Sequence, residues 1–159
     1  MVQMHRQQVE AEAKNCSADQ FFCFFKGNMI KLPQIVPHTH KSVQVLEGDG
    51  ISVGSVRLWK ILVGTPRVEV MAKDKIKTLD DETRTVSWTL MDGDVLQRYK
   101  TFEYTVSVSP IKGNEQSCLV KWSVEYEKEN EDVPVPNDYL EYAENITKSM
   151  ASHLVLNKA

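Results

Sequence analysis

Between Thr39 and Tyr126 apolar and polar residues alternate with a period of two, and after Pro136 the period changes once, to that of a helix. Phe102, Tyr104, Val106 and Val108 alternate with Glu103, Thr105 and Ser107, and Val120, Trp122, Val124 and Tyr126 with Lys121, Ser123 and Glu125. Successive strand side chains point to opposite faces, so such strands build an antiparallel sheet with one apolar and one polar side. Breaks at Gly64-Thr65-Pro66, Leu79-Asp80-Asp81-Glu82, Asp92-Gly93-Asp94 and Lys112-Gly113-Asn114-Glu115 divide the stretch into about six strands joined by short turns. The apolar side needs a cover. Tyr139, Tyr142, Ala143, Ile146, Met150 and Leu154 fall near helical spacing, with Asp138 placed to cap and Glu141 three residues on. Roughly 18 residues at a rise of 1.5 Å give a rod of about 27 Å, enough to lie across a curved sheet. The pattern predicts an α+β domain, a curved antiparallel sheet wrapped on one long C-terminal helix.

The segment before the sheet reads differently. Ser17-Ala18-Asp19-Gln20 has capping-box spacing, in which the Ser side chain and the Gln three residues later satisfy each other's backbone donors. The helix it starts carries Phe21, Phe22, Cys23, Phe24 and Phe25, and a split near Gly27-Asn28 makes two short helices. Leu32-Pro33 and Val36-Pro37 are read as stops. Gln3 to Ala13 is ambiguous, since its Gln, Glu and Ala favour a helix and only a weak alternation favours a strand.

The glycine-rich run Glu47-Gly48-Asp49-Gly50-Ile51-Ser52-Val53-Gly54-Ser55 resembles a phosphate-cradling loop. Such loops work through the N-terminus of a following helix and a Lys-Ser or Lys-Thr pair. Here Val56-Arg57-Leu58-Trp59-Lys60-Ile61 reads as a strand, so the run is assigned to a tight strand-to-strand connection.

At 159 residues the chain is read as one domain over 1–159. A net charge of −3 and a pI near 5.8 remove the electrostatic footprint of a nucleic-acid binder. No apolar signal core opens the chain and no run reaches the roughly 18 apolar residues of a membrane span, so a cytoplasmic location is expected. Cys16, Cys23 and Cys118 are an odd set without metal-ligand spacing, expected to be buried small apolar groups in a reducing compartment. Asn15-Cys16-Ser17 and Asn145-Ile146-Thr147 match the glycosylation acceptor pattern and are discounted without a secretion signal.

Several separate motifs, in order along almost the whole chain, carry a family resemblance. They are Glu47-Gly48-Asp49-Gly50 through Gly54-Ser55, Trp59, Lys73-Asp74-Lys75-Ile76, Asp80-Asp81-Glu82, Gly93-Asp94-Val95-Leu96, Tyr99-Lys100, and the run Glu125-Tyr126-Glu127-Lys128-Glu129-Asn130-Glu131-Asp132-Val133-Pro134. With them the sequence resembles the plant major latex protein group of the birch-pollen-allergen superfamily. The resemblance implies a helix-grip fold: seven antiparallel strands curled around the last helix, with two short helices after the first strand. It thereby assigns the ambiguous N-terminal segment to a strand. It also implies an internal cavity for small hydrophobic or amphipathic metabolites, among relatives that include both carriers and cyclases or isomerases.

The residues themselves support a lined space. Trp59, Ile61, Met71, Val86, Trp88, Leu90 and Tyr104 are placed on the inward face, with Trp122, Val124 and Tyr126 from the last strand. They face Ala143, Ile146 and Met150 from the helix. The alternative is an ordinary packed core. Aromatic walls with few polar groups are equally what a pocket for an apolar ligand looks like.

Polar residues on that face separate carrier from enzyme. His40 is placed inward at the start of the second strand, where the resemblance implies an aliphatic residue. A histidine there can relay a proton or hydrogen-bond a ligand carbonyl, which makes His40 the catalytic candidate and a ligand-binding candidate. The alternative is a partly exposed loop histidine. Glu69 is placed inward if Met71 is, and would then need Arg57 or a ligand cation as partner. His38-Thr39-His40 offers two metal ligands without a convincing third and fourth, so no metal and no cofactor are predicted.

Three functions follow. The leading one is binding of a small hydrophobic plant metabolite of terpenoid, alkaloid, steroid or flavonoid type, in defence or specialised metabolism, by a monomer or weak homodimer. The second is an isomerase or cyclase of the same cavity, pairing His40 with Tyr104 or Tyr126. A ribonuclease reading is weakest, since the cations that neutralise phosphates are missing.

Overall fold

The computed structural model describes residues 4–64 and 67–156. Strand β1 (Met4–Ala13) is followed by helix α1 (Ala18–Gly27), a 3-10 turn (Met29–Lys31) and helix α2 (Leu32–Ile35). Strands β2 (His40–Glu47), β3 (Val56–Val63), β4 (Val68–Asp80), β5 (Thr85–Gly93), β6 (Tyr99–Ile111) and β7 (Asn114–Lys128) then lead to helix α3 (Asn137–Leu156). The seven strands form one antiparallel sheet in the order β1-β7-β6-β5-β4-β3-β2. Its two edges, β1 and β2, are consecutive in the chain. The link between them must therefore cross from one edge to the other, and α1, the 3-10 turn and α2 make that crossing.

The capping box forms as spaced. Ser17 Oγ accepts from the Gln20 amide at 3.2 Å, and Gln20 Oε1 accepts from the Ser17 amide at 3.0 Å. Phe21, Phe22, Phe24 and Phe25 are all buried, each contributing on the order of 1.5–3 kcal/mol of apolar burial. Pro33 is no stop: it sits in the first turn of α2, where a missing N–H costs nothing, and the helix ends instead at Val36-Pro37. Cys16 and Cys118 are buried, but Cys23 is exposed on the outer side of α1.

Helix α3 begins one residue before the expected cap. The Pro136 carbonyl accepts from Tyr139 and Leu140, so Asp138 lies inside the first turn, where its charge meets the positive end of the helix. The helix packs against β1, β7, β3 and α1. The expected turns lie between the strands as read; of Gly64-Thr65-Pro66, Thr65 and Pro66 fall outside the described residues, as does Gln3 of the N-terminal segment.

The glycine-rich connection joins β2 to β3, with Gly48, Gly50 and Gly54 all at positive φ. Its anion site is taken by its own side chain. Asp49 accepts from the amides of Ile51 and Ser52 at 2.9 and 2.8 Å and from the hydroxyls of Ser52 and Ser55 at 2.7 and 3.1 Å. The Ser52 hydroxyl and these amides hold its carboxyl far below the usual carboxylate range.

The sheet parts on one side. β5 pairs with β6 only from Thr85↔Ser107 to Thr89↔Glu103; beyond that point it pairs with β4 alone, and the 3-10 turn Asp94–Gln97 fills the break. Gly93 makes the parting possible. At φ +125° it lies so close to β4 that a Cβ would stand 2.2 Å from the Met71 carbonyl oxygen. Gly113 has φ +84° but open space around it. Gly113→Ala is expected to cost about 1–2 kcal/mol for its handedness alone, and Gly93→Ala clearly more, as read by denaturant unfolding; equal losses would show that the close approach is not a constraint.

Candidate functional site

Between the concave face of the sheet and α3 lies a gap with about 650 Å³ free of protein atoms, part of it open to solvent. A water molecule's centre can reach about 70 Å³ of it, so a small ring system fits and a bulkier guest needs side chains to move. Trp59 and Ile61 of β3, Trp88 and Leu90 of β5, Tyr104 of β6 and Trp122 of β7 form the sheet wall. Tyr139, Tyr142 and Ile146 of α3 form the other wall, Met29 and Leu32 line it from the crossing segment, and Val95 from the turn at the sheet break.

The aromatic wall is itself layered. Trp88 stacks on Trp122 with centroids 5.9 Å apart, and Phe25 and Tyr104 meet Trp122 edge-on at 5.5 and 6.1 Å. Trp122 Nε1 donates to Thr147 Oγ1 at 2.7 Å, which ties the sheet to α3. The Trp88 indole N–H has no protein acceptor.

Of the residues placed inward from the sequence, His40, Trp59, Ile61, Met71, Trp88, Tyr104, Trp122 and Ile146 border this gap. Val86, Ala143 and Met150 are buried in packed core beside it, and Tyr126 lies in a second cluster with Tyr99, Phe102 and Leu140. Glu69 is corrected: it is exposed, and the inward residues of β4 are Val70, Ala72, Asp74 and Ile76. Met71 is on the outer register and 41% exposed, reaching the gap only at its mouth. The inward set keeps a strict alternation from Val70 to Ile76, paired with Ile61, Trp59 and Arg57 of β3, so the count fails only in starting from Met71.

Asp74 is the carboxylate that a count from Met71 turns outward. It receives Arg57 Nε at 2.9 Å and Nη2 at 3.1 Å, and Trp59 Nε1 at 3.1 Å. Arg57, 1% exposed, also reaches the Gly50 carbonyl at 3.5 Å and lies 5.2 Å from the centre of the Trp59 ring. Burial raises the Asp74 carboxyl above its ordinary range, with Arg57 and Trp59 pulling the other way. The partner assigned to Arg57 is therefore Asp74 and not Glu69. Lys73 and Lys75 on either side disguise this inward position as a solvated charge run.

His40 is 2% exposed, inside the gap and not in a loop. Its bonds define its tautomer. Thr39 Oγ1 donates to the Val36 carbonyl at 3.2 Å, so at 3.0 Å it accepts from His40 Nδ1–H, and Tyr142 donates to His40 Nε2. Burial, with a smaller contribution from His38, lowers the imidazole to about 3, and burial pushes the Tyr142 phenol far up. The pair is neutral. Tyr142, and not Tyr104 or Tyr126, is the tyrosine beside His40; it stands on the same helical face as Tyr139 and Ile146, the signal that locates it. His38 is exposed while His40 is buried, so the two share no face on which a metal could sit.

The profile of the pathogenesis-related protein Bet v 1 family matches residues 4–157. The chain belongs to that family. Within it, the similarity is to the major latex proteins: major latex protein 146 of Papaver somniferum is 42% identical over 88% of this chain and 85% of its own length. The crystal structure of major latex-like protein 151 from Panax ginseng superposes with a TM-score of 0.87 at 26% identity, covering 96% of this chain and 98% of that one. Norcoclaurine synthase from Thalictrum flavum, in complex with dopamine and hydroxybenzaldehyde, shares the fold at a TM-score of 0.78 and 22% identity, over 99% of this chain and 90% of that one. Among the described residues of this Bet v 1-family chain no helix is long and apolar enough to cross a membrane.

Two outcomes test this site. Asp74→Ala strands a buried guanidinium and is expected to cost about 3–5 kcal/mol, most of it regained in Arg57→Met/Asp74→Leu; a mild single loss would show the pair to be solvated. His40 takes up no proton on the folded side until about pH 3, whereas the unfolded chain does so near 6.5. Its share of stability is therefore whole above pH 6.5 and falls as pH drops through that window, by about 1.4 kcal/mol per pH unit. Unfolding titrations between pH 4 and 7 should be shallower by that amount in His40→Gln, and an unchanged slope would mean a solvated imidazole.

Proposed function

We propose that this chain binds a small hydrophobic metabolite in the gap between its sheet and α3. The observation that carries the reading is the wall itself: three tryptophans, tyrosines and aliphatic side chains surround free space where a packed core would interdigitate. A family of plant relatives suits a role in defence or specialised metabolism, with a terpenoid, steroid, flavonoid or alkaloid as the class of guest.

Binding is preferred to catalysis on the state of His40. A general base needs a free nitrogen near its working pH, and here both nitrogens are engaged and burial keeps the ring neutral. An isomerase or cyclase would have to work through the Tyr142–His40 pair, the one place in the wall where a proton has two adjacent holders.

The test uses N-phenyl-1-naphthylamine, an uncharged fluorescent probe. Saturable binding at micromolar concentration with one site per chain is expected, and Ile146→Trp, which fills the gap from the helix side, should weaken it at least about tenfold while the circular dichroism and melting of the fold persist. No saturation, or full affinity in the filled variant, would rule the gap out as the site.

A further inference from the structure

The five tyrosine hydroxyls of the chain are spent differently. Tyr99 donates to the Pro134 carbonyl at 2.6 Å and Tyr142 to His40 Nε2, while the Tyr126 hydroxyl is unbonded but sealed from water in the second cluster. Among the described residues those of Tyr104 and Tyr139 have no protein partner either, and they are not sealed. Both side chains line the gap and are only half-buried. Tyr104 stands on the inner face of β6 between Trp88 and Val124, with Phe102 and Trp122 against its ring, so the surface it keeps open faces the gap.

Asp74 is the second unfinished group on this wall. Its carboxylate accepts from Arg57 at both oxygens and from Trp59 at Oδ2, three donors where an ionised carboxyl has about four sites. The Arg57 side chain is 1% exposed, whereas that of Asp74 keeps 13% of its surface open and lines the gap. Burial raises its carboxyl in spite of Arg57 and Trp59, as expected of a carboxylate with fewer donors than water would give it. The two groups are neighbours. Burial above all, and then Tyr139, Tyr142 and Asp74, raise the Tyr104 phenol well above its ordinary value. Tyr142 has already given its proton to His40, and the charges that act on Tyr139 are those of Asp94, Arg98 and Asp138 near the sheet break. Tyr104 is thus the free hydroxyl that stands with Asp74.

We propose that the gap selects a neutral guest bearing a hydroxyl, an alcohol or a phenol, whose oxygen accepts from Tyr104 and whose proton is donated to Asp74. This rests on the cavity reading above and names the polar group of its guest. A hydroxyl is donor and acceptor at one atom, so it completes both residues; a ketone completes Tyr104 alone and a hydrocarbon neither. An ammonium can donate to Asp74 but cannot accept from Tyr104, and it would bring a second positive charge beside Arg57. Tyr104 and Asp74 are thereby specificity residues: apolar area retains the guest, and the hydroxyl sorts it.

Four compounds on one skeleton test this by calorimetry at pH 7: 1-ethylnaphthalene, 1-acetonaphthone, 1-(1-naphthyl)ethanol and protonated 1-(1-naphthyl)ethylamine. The ketone is expected to bind about fivefold tighter than the hydrocarbon, and the alcohol about tenfold tighter again, since a hydrogen bond to a charged group is the stronger kind. The amine should bind no tighter than the hydrocarbon. Tyr104→Phe removes an oxygen that no protein group bonds; in it the ketone should fall to the level of the hydrocarbon while the alcohol stays ahead through Asp74. Should that variant not fold, the wild-type side-chain carboxyl carbon resonance of Asp74 decides, moving with the alcohol and not with the hydrocarbon. If the hydrocarbon binds but the alcohol gains nothing over the ketone, the ketone keeps its gain in Tyr104→Phe, or the Asp74 resonance stays still, the proposal is overturned and the cavity reading survives. An amine that binds as tightly as the alcohol also overturns it. If none of the four binds, both fall together.

Discussion

One helix is too narrow to cover the inner face of a seven-stranded sheet. Strands spaced about 4.8 Å apart make a face near 30 Å wide, while a helix with its side chains is only about 10–12 Å across. The shortfall must be met by large side chains and by the segment crossing from β1 to β2. The four phenylalanines of α1 do this at one end, and the Tyr99, Phe102 and Tyr126 cluster does it at the other. Between them, where β5 parts from β6, coverage runs out and the gap remains.

The wall of that gap is stabilised by features an empty space would otherwise endanger. The Trp122–Thr147 bond fixes the distance from sheet to helix, and the Tyr142–His40–Thr39 chain joins α3 to the start of β2. Arg57 and Asp74 fasten β3 to β4 from within and reach the glycine-rich connection through the Gly50 carbonyl. These contacts are neutral or self-compensating, so the lumen stays apolar despite holding an ion pair, a histidine and three phenols.

What the sequence discloses depends on whether the information is local. The capping box at Ser17, the turns at Gly93 and Gly113 and the alternation of β6 and β7 are written in adjacent residues and appear in the structure where read. Position along β4 is not local. Its inward residues alternate without a break from Val70 to Ile76, so everything rests on the starting residue, and the inward carboxylate Asp74 looks, between two lysines, like surface charge while Glu69 is turned out. Tyr142 is a related case: its helical face is legible, but its meeting with His40, 102 residues away, depends on how α3 lies over the sheet. The family resemblance supplied the first strand; the closed Arg57–Asp74 pair and the unpaired Trp88 donor emerge only in the folded chain.

The central claim, that a guest sits between sheet and helix, is tested most directly by isotope-filtered nuclear Overhauser spectra of bound N-phenyl-1-naphthylamine. The account predicts contacts from one probe molecule to the methyls of both Ile61 on the sheet and Ile146 on α3. Contacts confined to the exposed methyls of Leu46, Val53 and Met91 would place the probe on the outer surface and contradict it.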